Sequence, residues 1–173
     1  MKLHHPPHIF IDDTYYFLTA RTYQKQRIFN TGKKKAFLLD SLKAEFRKRS
    51  YNLFAWVILD DHYHIEFRAR KADDLSKIIN AVHGQVSFLI NKADNSRGRK
   101  VFQNYWDHSI RDEKDFWRHF NYIHHNPIKH GYVKNMEDYK FSSYNEWVNK
   151  EGKEWLNSCF ELYPIIDFTP QDI

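Results

Sequence analysis

His62 and His64 are the residues of this sequence best placed to do chemistry, within the run Asp60-Asp61-His62-Tyr63-His64-Ile65-Glu66-Phe67. In an extended strand, side chains at i and i+2 point to one face, so the two imidazoles stand side by side while Tyr63, Ile65 and Phe67 turn inward. Two adjacent imidazoles suit one divalent metal ion, with Asp60 and Glu66 close by. The same spacing also describes two histidines on a solvated sheet face that hold nothing. Zinc normally takes three or four His, Cys or carboxylate ligands. The chain has no HExxH motif and a single cysteine, Cys159, so the zinc reading is the weaker one.

A second segment carries more information: Asn121-Tyr122-Ile123-His124-His125-Asn126-Pro127-Ile128-Lys129-His130-Gly131-Tyr132-Val133. His62-Tyr63-His64 resembles the His-hydrophobic-His motif of HUH endonucleases, and Tyr122 to Val133 resembles the Y-I-H-x-N-P-(I/V)-K-x-G-(x)-V segment of REP-associated tyrosine transposases, part of the IS200-like superfamily. The opening HPPHIF followed by YFLTART is similar to the same group, so the likeness runs over roughly residues 8–147. It implies that His62 and His64 are metal ligands, that Tyr122 is the nucleophile and that Asn126 is a third, polar metal contact. Tyr122 and Asn126 are four apart and would share a helix face. Tyr63 departs from the hydrophobic middle residue, yet its ring fills the same inward position.

The chemistry implied is nicking and joining of single-stranded DNA. A phenol with a pKa near 10 is mostly protonated at neutral pH, so its attack on a phosphodiester needs the phosphate charge neutralised and the geometry fixed. A divalent ion, Mg²⁺ or Mn²⁺, would do both. The product would be a 5′-phosphotyrosine with a free 3′-hydroxyl, and reverse attack would rejoin strands without ATP. No P-loop or other nucleotide motif is present, which agrees with an enzyme that needs no nucleotide cofactor. Three other readings stand beside this one: a rolling-circle replication initiator or relaxase, a transposase-derived DNA-binding protein without catalysis, and an RNA-binding module. The last lacks the expected RNP pattern.

The elements that must position these groups are legible from periodicity. Thr14–Thr22 (TYYFLTART) is rich in β-branched and aromatic types and reads as a strand. From Lys33 to Ser50, Phe37, Leu38, Leu42 and Phe46 recur at helical steps. Strands are expected over Tyr51–Leu59 and His62–Arg70, turning at Asp60-Asp61. Asp73-Asp74 opens a second helix, which ends before the basic loop Asn95–Lys100. A fourth strand is expected within Val101–Arg111, then a helix over Asp112–His125. Pro127 argues that regular helix stops near Asn126, because the residue before proline is pushed out of the α region. The order predicts an α+β chain with a ferredoxin-like split βαβ core, an antiparallel sheet and helices on one face. One domain is expected over 1–173, with its core at about 8–133 and a short helical C-terminal extension at about 134–173, packed by Trp147 and Trp155.

Composition narrows the partner. Lys and Arg total 27 against 22 Asp and Glu, a net charge of +5, which favours a polyanion. The 14 Phe, 11 Tyr and 5 Trp exceed what a small core requires, and flat rings stack on unpaired bases. Single-stranded or hairpin DNA is therefore the expected partner. Arg21, Lys34, Arg68, Arg70, Arg97, Arg99, Lys100 and Lys129 are candidate backbone contacts, although each basic cluster also reads as a solvated face. His124 and His125 are expected to face DNA or packing, and His83 the helix surface. With no long apolar run, a membrane partner is not expected and the location reads as cytoplasmic. The resemblance favours a monomer acting in cis over a dimer.

Overall fold

The computed structural model describes residues 12–71 and 74–168. HPPHIF and Asp73, which entered the reading above, lie outside them. Four strands form one antiparallel sheet: β1 (Thr14–Thr22), β2 (Asn52–Ile58), β3 (His62–Ala69) and β4 (Phe102–Ser109), in the order β2-β3-β1-β4. The helices are α1 (Gly32–Lys48), α2 (Leu75–Ala93), α3 (Glu113–Lys129), α4 (Tyr144–Glu151) and α5 (Lys153–Leu162). The α+β class and the split βαβ order are those expected, since β3 lies between β1 and β2 while α1 makes the crossover.

Alternation along the strands builds two apolar layers. Tyr16, Leu18 and Ala20 of β1 and Tyr63, Ile65 and Phe67 of β3 meet Leu38, Leu42 and Phe46 of α1 and Ile78, Ile79, Val82 and Val86 of α2. On the opposite face, Phe17 of β1 and Ala55 and Val57 of β2 meet Phe120, Tyr122 and Ile123 of α3, together with Tyr144 and Leu156 of the extension. Helices thus cover both faces, which corrects the one-face expectation. The reason is that β1 and β2 also carry apolar residues at their alternate positions, so the second face must be buried as well.

α3 is also longer than expected. Asp112 caps it by accepting the Asp115 N–H at 2.8 Å, and the helix runs through Pro127 to Lys129. Pro127 removes one N–H inside the last turns, but the His130, Gly131 and Tyr132 N–H groups close the end onto the carbonyls of Asn126, Ile128 and Pro127. Beyond it, α4 and α5 are separated by Gly152 at φ +91°, a conformation that favours glycine. Trp147 stacks on Trp155 at 5.9 Å, so these two rings pack the extension as expected. Among the described residues no helix is long and apolar enough to cross a membrane.

Candidate active site

The hairpin between β2 and β3 sets the first histidine. Its turn, Asp60-Asp61, closes with the Leu59 N–H donating to the His62 carbonyl at 2.8 Å. The turn is held by charge: the buried Asp60 carboxylate receives Lys35 at 2.7 Å and Arg27 at 2.6 Å. Burial acts to raise the Asp60 carboxyl, but these two cations outweigh it and keep it below the usual carboxylate range. Asp61 then orients His62, its Oδ1 accepting from Nδ1 at 2.7 Å. A proton held there leaves Nε2 of His62 with a free lone pair.

His64 stands two residues on, its ring 5.0 Å from that of His62. Its Nδ1 lies 2.7 Å from the hydroxyl of Thr19, its register partner on β1, and its Nε2 is buried with no partner. Burial, reinforced by His62 and Arg21, holds the His64 imidazole well below its ordinary pKa, so it is neutral and able to donate a lone pair.

α3 brings the other two groups over this pair. The Tyr122 ring is 5.3 Å from His64, edge to face, and Asn126, one turn further, places Oδ1 3.2 Å from Nε2 of His62. The four sequence-predicted residues therefore converge from two elements. Two acceptor atoms at 3.2 Å match the edge of about 3 Å that ligands at about 2.1 Å from an octahedral Mg²⁺ define. Together with the partnerless Nε2 of His64, that donor set fits a divalent ion.

Of the other neighbours, the sequence singled out Lys129 alone, as a candidate DNA contact. The His130 ring lies 4.8 Å from His62. Lys129 is 5.0 Å above the Tyr122 ring and pairs with Asp167 at 2.6 Å. Phe168 packs on Tyr122 at 5.1 Å and on His119 at 4.0 Å. Asp61 had a signal in its adjacency to the motif; Asp167 and Phe168, in a segment without period, had none.

The candidate DNA contacts separate into three groups. Arg21 is exposed and pairs in register with His62, and Lys129 adjoins Tyr122, so both lie at the site. Lys34 and Arg99 share Asp94 at 2.9 and 2.8 Å, while Lys100 sits 4.7 Å over Tyr23 and Arg97 is exposed. Arg68 and Arg70 lie at the far end of β3, where Arg68 pairs with Asp13 at 2.8 Å. His83 is not a plain surface residue: its Nε2 lies 2.9 Å from the Tyr63 hydroxyl, and its ring stacks on Phe102 at 3.8 Å. His124 is fully buried against the hydroxyl of Ser143 at 2.7 Å, which settles it as a packing residue.

Comparison with known proteins follows the same lines. The family model described as "Transposase IS200 like" matches residues 11–126. A REP-associated tyrosine transposase of Escherichia coli (strain K12) is 32% identical over 104 residues, covering 59% of this chain and 59% of that protein. A relative from Haemophilus influenzae (strain ATCC 51907 / DSM 11121 / KW20 / Rd) is 32% identical over 112 residues, covering 58% of this chain and 63% of its own length. The chain thus matches about six tenths of the length of these two relatives. A solved structure of a REP-associated tyrosine transposase bound to a REP hairpin superposes with a TM-score of 0.75 at 24% identity over 96% of both chains, a likeness of fold.

Proposed function

The chain belongs to the IS200-like transposase family, and from that membership we propose that it is a metal-dependent enzyme that nicks and rejoins single-stranded DNA beside hairpins. The observation that carries this reading is the meeting of Tyr122 and Asn126 with His62 and His64 in one buried cluster. The relatives' names add REP-associated tyrosine transposition, and the structural neighbour was solved on a REP hairpin.

His62, His64 and Asn126 would hold Mg²⁺ or Mn²⁺, which supplies Lewis acidity toward the scissile phosphate. Asp61 and Thr19 keep the two imidazoles turned with Nε2 inward. Arg21 lies exposed beside His62, where a backbone phosphate would enter. The Lys129 ammonium over the Tyr122 ring favours negative charge on the phenol oxygen as its proton leaves. In the step itself, the Tyr122 Oη–P bond forms and the P–O3′ bond breaks. The phenol proton goes to solvent and the departing 3′-oxygen takes one up, leaving a 5′-phosphotyrosine and a 3′-hydroxyl. Attack by another 3′-hydroxyl runs the same exchange backwards and joins strands.

The test is nicking of an end-labelled hairpin with single-stranded flanks in Mn²⁺ or Mg²⁺. Tyr122→Phe removes one hydroxyl, so binding of the hairpin should persist while cleavage falls at least about a thousandfold. Cleavage in excess EDTA, or cleavage by Tyr122→Phe at the wild-type rate, would contradict the reading.

A further inference from the structure

Asp115, His119, Tyr122 and Asn126 follow one another at steps of four, three and four along α3 and share its sheet-facing side. The last two belong to the site above. The first two meet a histidine from the edge strand: Nε2 of His108 on β4 lies 3.0 Å from Oδ2 of Asp115, and Nδ1 of His119 lies 3.3 Å from Oδ1. One ligand atom from each of the three lies within 4.8 Å of the other two, and the His108 and His119 rings stack at 5.2 Å. We propose that His108, Asp115 and His119 form a second metal site, for a first-row transition ion of the zinc or cobalt kind, that clamps the tyrosine helix to β4.

Two imidazoles and a carboxylate are a donor set that zinc and cobalt ions bind. The alternative is a plain hydrogen-bonded trio around Asp115, and buried atoms left over around the trio argue against it. Nε2 of His119 is buried with no partner, and so are both carboxylate oxygens of Glu66, a side chain of zero exposure. Phe17 pairs in register with both Glu66 and His108, which puts all three on one sheet face, and the His119 ring packs on Phe17 at 4.5 Å. Buried polar groups are normally satisfied, so an unmatched imidazole nitrogen and an unmatched carboxylate flanking one phenylalanine call for an explanation. An ion supplies one for the imidazole, because a metal-bound imidazole usually gives its other N–H to a carboxylate or a backbone carbonyl. The Asp115 backbone carbonyl, 2.8 Å from Nδ1 of His119, is the acceptor on hand for that N–H, which leaves the partnerless Nε2 as the nitrogen with a lone pair for the ion.

The second site is separate from the first. The Phe17 ring lies between them, stacked on His64 at 5.4 Å on one side and against His119 on the other. Its role is to position: His119 is three residues before Tyr122, so fixing it to β4 fixes the height of the tyrosine over His64.

Co²⁺ is the probe, because its visible bands grow strongly in low-coordinate nitrogen and oxygen sites. The wild-type chain should take up two equivalents, and His62→Ala/His64→Ala should keep one of them, with those bands. In that background, His108→Gln should weaken the remaining equivalent at least about a hundredfold. Asp115→Asn, which preserves shape and removes the charge, should do the same. Co²⁺ should also raise the melting temperature of the His62→Ala/His64→Ala protein and leave that of the His108→Gln derivative unchanged. A single equivalent on the wild type, none on the His62→Ala/His64→Ala protein, or an undiminished equivalent after His108→Gln would overturn the proposal. Because the catalytic pair is absent from the decisive variants, failure here leaves the nicking activity untouched.

Discussion

At the scale of residues, each of the two histidines is held through its Nδ1. His62 has Asp61 on Nδ1 and His64 has Thr19, so neither ring can turn its lone pair away without breaking a contact of 2.7 Å. Asp61→Asn keeps the shape and removes the charge that favours the Nδ1 proton. Mn²⁺ affinity should fall about tenfold to a hundredfold with the melting temperature of the ion-free protein little changed, measured by calorimetry and thermal scans. Unchanged affinity would mean that Asp61 only shapes the turn. The convergence of His62, His64, Tyr122 and Asn126 was legible in the sequence because they sit in motifs with fixed spacing. The groups that seat them were not: Thr19 is 45 residues from His64 and is joined to it only by strand register. His83 read as surface because its partners Tyr63 and Phe102 come from other elements.

At the scale of elements, α3 carries Tyr122 and Asn126, and buried histidines on it and on α2 are sensitive to acid. Burial pushes His124, on α3, and His83, on α2, down to a pKa of about 3. An unfolded histidine titrates near 6.5, so between those values the unfolded chain binds more protons than the folded one. Stability is therefore full above about pH 6.5 and is lost as pH falls toward 3. Between pH 6.5 and 5 the loss is about 2 kcal/mol for each of these two histidines. Thermal scans in EDTA should show a falling melting temperature over that range, with a shallower fall in His124→Gln; a flat profile would contradict the burial assigned to both rings. The strands and helix starts followed from alternation, caps and periodicity. The reach of α3 past Pro127 did not, because the closing bonds from His130, Gly131 and Tyr132 depend on a turn that has no pattern of its own. Nor could an apolar stripe on α3 say which face of the sheet it would cover.

At the scale of the whole molecule, all four candidate residues come from one chain. A chain that completes its own site would cleave in cis. Mixing Tyr122→Phe with His64→Ala protein should restore no nicking, whereas a site shared between two copies would recover up to about a quarter of wild-type activity, since about half of the pairs are mixed and each of those carries one intact site of two. The charges are arranged to match: Arg21 and Lys129 adjoin the paired histidines, while Arg68 is engaged with Asp13 at the opposite end of β3. The net charge of +5 pointed to a polyanion but could not locate the path, because four of the basic side chains singled out in sequence, Lys34, Arg68, Arg99 and Lys129, are ion-paired among the described residues.

The central claim is that Tyr122 carries the covalent bond to DNA, and the direct measurement is the position of that bond. A hairpin oligonucleotide with a single-stranded flank, incubated with the protein and Mn²⁺ and then digested, can be read by peptide mass mapping. One adduct is expected, a 5′-phosphate ester on the peptide holding Tyr122, and none in the presence of EDTA. An adduct on any other tyrosine, or a 3′-linked one, would contradict that claim.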